Sequence, residues 1–302
     1  MPFSRRSLRQ SFLGEHSEQV LADARVAIAG VCGGGSHVAQ QLAHVGVGHF
    51  VLLDDDHVKD WNLNRMVGSR PEHSASGNLK VDVIRDLILG INPEADILAL
   101  PHKWEQHHLR LRTCDAVFGC VDSFLARDQL EKYCRRFLVP YIDVGMTVAK
   151  VNDGFSISGQ VVTSIPGGPC MRCVGFLSDV LISAESNNYG AAGERPQVIW
   201  PNGVLASTAV GVFVQMLTPW RKNPEMAPYL EYDGNRNILR SASLAAANSK
   251  RCIHFSGVDD LGDKPWQQAP HPGSLLEAAP HACQAAAPHR SDVATKTGRC
   301  TR

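Results

Sequence analysis

The stretch Arg25–Asp54, RVAIAGVCGGGSHVAQQLAHVGVGHFVLLD, decides the fold. Its first six residues are an apolar run that ends in glycine, the pattern of a buried strand. Behind the glycines, Val38, Ala39, Leu42 and Ala43 recur at helical spacing and share one face. A second apolar run, His49–Leu53, stops at three aspartates, Asp54–Asp56. Strand, glycine turn, helix and strand make a βαβ unit, in which two parallel strands are joined across one face of a sheet.

The same alternation continues outward. Val83, Ile84, Leu87 and Ile88 mark an amphipathic helix, and Asp96–Leu100 and Asp115–Gly119 read as strands. A helix is predicted over Ser123–Phe137 and a strand over Val139–Asp143. Such repetition predicts an α/β fold, a Rossmann-like, mostly parallel sheet with helices on both faces. From Phe155 the rhythm changes to strand-like runs, a Gly/Pro turn (Ile165–Cys170), a polar stretch at Ser178–Pro196 and a helix predicted over Val204–Leu217. Asp233-Gly234 between strand-like flanks predicts a hairpin. The sheet is therefore expected to continue into a mixed or antiparallel C-terminal part. Pro265–Arg302 holds five prolines, eight alanines and four large apolar residues, too few to offset the entropy of ordering, and is expected to be a disordered tail.

Composition narrows the function. The 302 residues carry 30 Lys+Arg against 30 Asp+Glu, and zero formal charge argues against a general nucleic-acid partner. A hydrophobic fraction of 44% and a charged fraction of 20% suit a chain that buries a core. The longest apolar stretch, Val204–Leu217, is broken by Ser207, Thr208 and Gln215 and falls short of the roughly 20 residues that cross a bilayer. No membrane span is expected, and the first residues lack the apolar core of a secretory signal, so a cytoplasmic location is expected. Of nine cysteines, only Cys170 and Cys173 form a tight pair, which in a reducing compartment points to metal ligation or thiol chemistry.

Gly30–Ser36 (GVCGGGS) lies between a strand and a helix, where glycines let the backbone approach phosphate and the helix start offers free N–H groups. Asp54 ends the second strand 19 residues after Gly35, the place of a ribose-binding acid. The competing reading is a tight turn beside an N-capping Ser36. Farther on, Asn62-Leu63-Asn64-Arg65 and Lys80 add two cations, which suit a triphosphate better than a dinucleotide held by backbone amides. Asp122, at the C-terminal end of a strand, offers a hard carboxylate for magnesium.

In this order the motifs resemble the ThiF/MoeB/HesA family, prokaryotic relatives of the ubiquitin-activating (E1-like) enzymes, over roughly residues 6–220. The matching pieces are Arg6–Gln10, the glycine loop, Asp54–Arg65, Lys80, Ile91–Glu94, the CVDSFLAR block (Cys120–Arg127) and PCMRC (Pro169–Cys173). The resemblance implies an ATP- and magnesium-dependent adenylyltransferase acting on the C-terminal Gly-Gly carboxylate of a ubiquitin-like or sulfur-carrier protein, with release of pyrophosphate. It implies that Gly30, Gly33 and Gly35 form the nucleotide loop, that Asp54 holds the ribose, that Asn62, Arg65 and Lys80 grip the phosphates, and that Asp122 binds magnesium. It further implies a homodimer in which Arg9, from a helical segment at 1–24, reaches the neighbouring protomer's phosphates. The adenylation domain then spans 25–262, with a crossover loop at about 174–198 covering the partner's tail, and the tail covers 263–302.

The chain departs from the family at Cys32, which stands where the loop's second glycine belongs, and at Gly34, where a larger residue is usual. Cys170 and Cys173 match the family's first metal pair, but no second CxxC follows; Cys252 and His254 would complete a Cys₃His zinc set. The competing reading leaves the two cysteines packed in a turn without zinc. No cysteine lies between Val174 and Arg251, so a thioester step in the crossover segment is excluded and a separate conjugating or sulfur-donating protein is expected. Cys114, Cys120 and Cys134 read as buried and inert. Alternatives in function are adenylation of another carboxylate, on a modified tRNA base or a peptide, an NAD-dependent oxidoreductase, and a binding module disabled by Cys32.

Overall fold

The computed structural model describes residues 4–187, 196–222, 226–242, 252–255, 257 and 261–263. Met1–Gly262 forms one compact unit; of the second, Asp263–Arg302, all but Asp263 lies outside the described residues, and so does the expected disordered tail. A 3₁₀ helix, Leu8–Leu13, and α1 (Ser17–Asp23) lead into β1 (Arg25–Ala29), α2 (Gly33–Val45), β2 (His49–Leu53), α3 (Pro71–Ala75), α4 (Lys80–Ile91) and β3 (Asp96–Leu100). Then come α5 (His108–Leu111), β4 (Ala116–Gly119), α6 (Phe124–Arg136), β5 (Tyr141–Val151), β6 (Gly154–Ser164), α7 (Asp179–Asn187), α8 (Ile199–Leu217), β7 (Tyr229–Asp233) and β8 (Ile238–Ser241).

All eight strands form one sheet in the order β3-β2-β1-β4-β5-β6-β7-β8, parallel from β3 to β5 and antiparallel from β5 to β8. The chain steps from β3 across to β4, so β1 and β4 flank the point where strand order reverses, and the crevice beyond their C-terminal ends is where such sheets hold ligands. Side chains alternate along each strand: Val26, Ile28, Phe50 and Leu52 join α2, α4 and α8 in one core, and Ala27, Val51, Val117 and Tyr141 join α6 in the other. Both faces are covered, which is why these strands read as continuous apolar runs.

Four local expectations change. The strand predicted at Val139–Asp143 starts at Tyr141 and runs on to Val151, pairing with β6 from Tyr141↔Ser164 to Val151↔Gly154. The polar stretch after Ser178 contains α7, while 188–195 lies outside the described residues. α8 begins at Ile199, not Val204, because Pro201 falls in the first turn, where a missing N–H costs no intrahelical bond. Ser36 does not cap α2, which starts at Gly33; its hydroxyl donates to Gly33 O (2.9 Å) and accepts from Val67 N–H (3.0 Å). α8 has the length and apolarity to cross a membrane, but half of it is buried in the core, with Phe213 packed edge-on against Phe118.

Candidate active site

β1 hands the chain to Gly30, at φ +84°, whose Cβ position is 2.6 Å from Cys120 O at the end of β4. A side chain there would collide with backbone in a left-handed conformation, so only glycine lets the two strand ends meet. Gly35 lies still closer, its Cβ position 1.9 Å from Gly30 O, and Gly33 faces Asn202 Nδ2 at 2.8 Å. Packing within the protein therefore demands these three glycines. Gly34 has only ordinary contacts, at 3.5 Å or more. The first-turn N–H groups of α2 have no intrahelical partners, and Cys32 at the N-cap gives them no side-chain bond. The loop thus presents uncapped amides at a helix start, a place for an anion.

Asp54, at the end of β2, is fixed by two backbone donors: Val31 N–H to Oδ2 (2.9 Å) and Asp56 N–H to Oδ1 (3.0 Å). Burial pushes its carboxyl up, against the opposing pull of Lys80 and the two amides. Lys80 opens α4 with its side chain 7% exposed, its Nζ 2.6 Å from Asp56 Oδ2 and 3.8 Å from Asp54 Oδ1. Burial opposes its charge, but Asp54 and Asp56 outweigh burial and hold the ammonium above its ordinary range. Arg65 donates to Trp61 O and to Asn64 Oδ1 (3.1 Å), and its buried Nε has no partner among the described residues. Asn62 is buried, with Oδ1 committed to Lys59 N–H (2.9 Å). Burial pushes the Cys32 thiol up, and the contacts of Val31 N–H with Asp54, of Lys80 with Asp54 (3.8 Å) and of Val67 N–H with Ser36 bring the segments that carry Asp54, Lys80 and Arg65 to the glycine loop.

Asp122 lies between β4 and α6, exposed and without a hydrogen-bond or ion-pair partner among the described residues. One free carboxylate beside a phosphate site fits magnesium, which takes few protein ligands and completes its shell with substrate phosphates and water. The loop is braced from two sides. Ser123 Oγ accepts Ala126 N–H (3.1 Å), and Glu185 of α7 accepts Phe124 N–H (2.6 Å). Asn64 Nδ2 donates to Gln197 O (3.1 Å), so the crossover segment is tied at its middle, beside the Asp122 loop, and at its end, beside Arg65.

Beneath this loop is a network that the sequence reading missed. Asp143 is fully buried and paired with Arg127, and accepts from Tyr141 Oη (2.9 Å) and Gln160 Nε2 (3.2 Å). Arg127 also donates to Val121 O (2.6 Å), next to Asp122. An acid at the end of the apolar run Val139–Ile142 was the signal available. Asn202, expected only to cap a helix, sits inside α8 against Gly33 and donates to Val198 O (2.9 Å).

Arg9 is exposed on the N-terminal 3₁₀ helix and does not join this cluster. Neighbouring Arg6 donates to Ala43 O (2.8 Å) and Asn92 Oδ1 (3.2 Å), at the C-terminal ends of α2 and α4. The loop and Lys80 are at the opposite ends of those helices, about 15 Å away at 1.5 Å per residue.

The Cys/His set does assemble. Cys170, Cys173, Cys252 and His254 offer ligand atoms within 4.8 Å of one another. The sulfur–sulfur distances are 3.6 Å (Cys170–Cys173) and 3.7 Å (Cys173–Cys252), and His254 Nδ1 is 3.4 and 3.3 Å from Cys170 and Cys173. Metal–sulfur bonds of about 2.3 Å in a tetrahedron give edges of about 3.8 Å, so the donors fit zinc. The one-residue spacing of Cys252 and His254 works because alternate residues of a bent segment point the same way, leaving Ile253 74% exposed. Cys114 and Cys120 are pushed up by burial to about 12, and Cys134 is also raised by burial, which leaves all three as inert thiols.

The sequence profile of the ThiF family matches residues 4–253. The chain is 29% identical over 233 residues to the molybdopterin-synthase adenylyltransferase of Escherichia coli, covering 75% of this chain and 86% of that one. It is 28% identical over 164 residues to the SAMP-activating enzyme E1 of Haloferax volcanii, 54% of this chain but only 57% of the relative's length. The tRNA threonylcarbamoyladenosine dehydratase of Bacillus subtilis is 32% identical over 143 residues, covering 46% of this chain and 54% of the relative. A crystal structure of E. coli MccB with ATP superposes with a TM-score of 0.64 at 20% identity, over 82% of this chain and 75% of that one, a likeness of fold.

Proposed function

Because this chain belongs to the ThiF family, we propose that it adenylates the C-terminal glycine carboxylate of a small ubiquitin-like or sulfur-carrier protein, using ATP and magnesium. The observation that carries this reading is the convergence of Asp54, Arg65 and Lys80 on the uncapped start of α2. Relatives named as molybdopterin-synthase adenylyltransferase and SAMP-activating enzyme support the reaction class.

In the reaction, a carboxylate oxygen bonds to the α-phosphorus while the α–β phosphoanhydride bond breaks, and its electron pair leaves with pyrophosphate. No base is needed, because the nucleophile is already an anion. The obstacle is bringing anions together, and cations and oriented amides lower it. Asp54 accepts the ribose hydroxyls, Arg65 offers its unpartnered Nε, and Lys80 turns from Asp56 to the phosphates. Magnesium held by Asp122 would neutralise the departing pyrophosphate. Arg9 serves the site of a second copy, as suits its place at the far ends of α2 and α4. We assign zinc to Cys170, Cys173, Cys252 and His254, where it clamps the chain on both sides of the crossover. With no cysteine between Val174 and Arg251, the product is the acyl-adenylate, passed to a separate conjugating or sulfur-donating protein.

ATP–pyrophosphate exchange with small Gly-Gly-ending proteins tests the proposal. Exchange is expected only with such a partner and is lost in Asp122→Ala. Exchange that persists in that variant, or that arises with a tRNA or a short peptide instead, refutes the corresponding assignment.

A further inference from the structure

A second pocket lies along the C-terminal half of α6, about 9–20 Å along the helix from Ser123 at 1.5 Å per residue. Its volume is 480 Å³, within the range of about 300–1,000 Å³ that small ligands occupy. One face of α6 lines it: Gln129, Lys132, Tyr133 and Arg136 follow the i, i+3, i+4, i+7 spacing that places side chains together. Trp104, Phe255 and His254 of the Cys/His cluster contribute three more rings, and no acidic residue is among the lining side chains.

Charge and shape both point to a ligand class. Arg136 pairs with no carboxylate among the described residues. Lys132 reaches Asp128 (2.6 Å), and Arg172 joins Asp128 (3.0 Å) to Asp179 (2.8 Å), so these two cations and two acids balance and the positive charge left at the pocket is that of Arg136. Tyr133 is held on several sides: its ring meets Phe137 at 4.8 Å, His108 at 5.4 Å and Trp104 at 5.9 Å, and its hydroxyl accepts from Arg112 Nε (3.0 Å). Trp104 is 8% exposed, and its indole Nε1–H is buried without an acceptor, a donor that proteins seldom leave unused. Fixed rings, two cations one turn apart and an amide at Gln129 suit a flat polar ring that carries an anion.

We propose that this pocket binds a nucleoside monophosphate, its base against Tyr133 and Trp104, its edge on Gln129 and its phosphate on Lys132 and Arg136. The site is separate from the candidate adenylation site and does not depend on that reading. Calorimetry with AMP on the full chain carrying Asp54→Ala and Arg65→Ala, which weakens the other site, tests it. One saturable site per chain is expected. Adding Arg136→Gln or Lys132→Gln, surface changes that circular dichroism can show to be folded, should each lower affinity roughly tenfold through loss of a charge-assisted contact. Inorganic phosphate alone should bind at least about tenfold more weakly, because a stacked base adds about 1–3 kcal/mol. Absence of saturable heat, or unchanged affinity in both added variants, overturns the site. Phosphate binding as tightly as AMP overturns the nucleotide assignment.

Discussion

Replacing Arg127 with Met tests whether the buried network under the Asp122 loop holds the candidate site together. Met keeps most of the side-chain volume, so the change removes the charge and donors and leaves packing largely intact. Asp143, fully buried, would lose its cation and keep only the hydroxyl of Tyr141 and the amide of Gln160. Breaking one side of a buried ion pair costs about 3–5 kcal/mol, because the remaining charge stays out of water unpaired. Val121 O loses a donor as well, a further 0.5–1.5 kcal/mol or about that. Urea denaturation followed by circular dichroism should show a loss of about 4–6 kcal/mol for Arg127→Met, and neutralising Asp143 in the same chain should recover part of it. Because Val121 adjoins Asp122, the magnesium concentration for half-maximal exchange should also rise. A stability change under about 1 kcal/mol with unaltered magnesium dependence would refute the argument.

Lys80→Ala and Arg65→Ala should each lower exchange by about 10²–10³, the loss typical when one preorganised charge-stabilising group is removed; Arg65→Ala should leave the urea midpoint little changed, whereas Lys80→Ala, which leaves buried Asp54 without its cation, should lower it as well. Gly35→Ala, which places a Cβ 1.9 Å from Gly30 O, should cost about 1–3 kcal/mol in a denaturant titration. Gly34→Ala should leave the fold unharmed, helix propensity favouring alanine by about 1 kcal/mol, and weaken ATP binding only if phosphate rests on that residue. Metal analysis should find about one zinc per chain, lost in Cys252→Ser together with roughly 5 °C of thermal midpoint; an unchanged midpoint with no metal in the native chain would refute the zinc assignment.

Much of the fold was legible because Arg25–Asp54 carries three independent signals that agree: apolar runs of strand length, a glycine turn and helical periodicity. The placing of Lys80 beside Asp54 was legible for the same reason, since each belongs to a short motif near that unit. The remainder depends on which distant residues meet. Asn202 reaches Gly33 only through the register of α8 on α2, and nothing local to either marks that contact. Asp143 stood in the sequence as an acid closing an apolar run, but nothing in the predicted helix Ser123–Phe137 marked Arg127 as its partner until β5 and α6 were placed side by side. The Cys/His cluster was ambiguous because spacing alone does not tell whether Cys252 and His254 share a side; in the structure they do, with Ile253 turned outward.

A neutral chain can still bind a polyanion if its cations are held in place rather than spread over a surface. Lys80 shows how this is done. Its ammonium is buried against Asp54 and Asp56, so it stays charged where burial alone would favour the neutral amine. The two acids differ in what they can release. Asp54 is committed to two backbone amides, whereas Asp56 is 56% exposed on its side chain and is rehydrated easily when Lys80 leaves. Under the proposed function, the cost of moving Lys80 from Asp56 to a phosphate is therefore small, while Asp54 remains in place for the ribose. Asp56 would then hold the cation between turnovers, which reconciles Asp54 and Asp56 with a neighbouring phosphate.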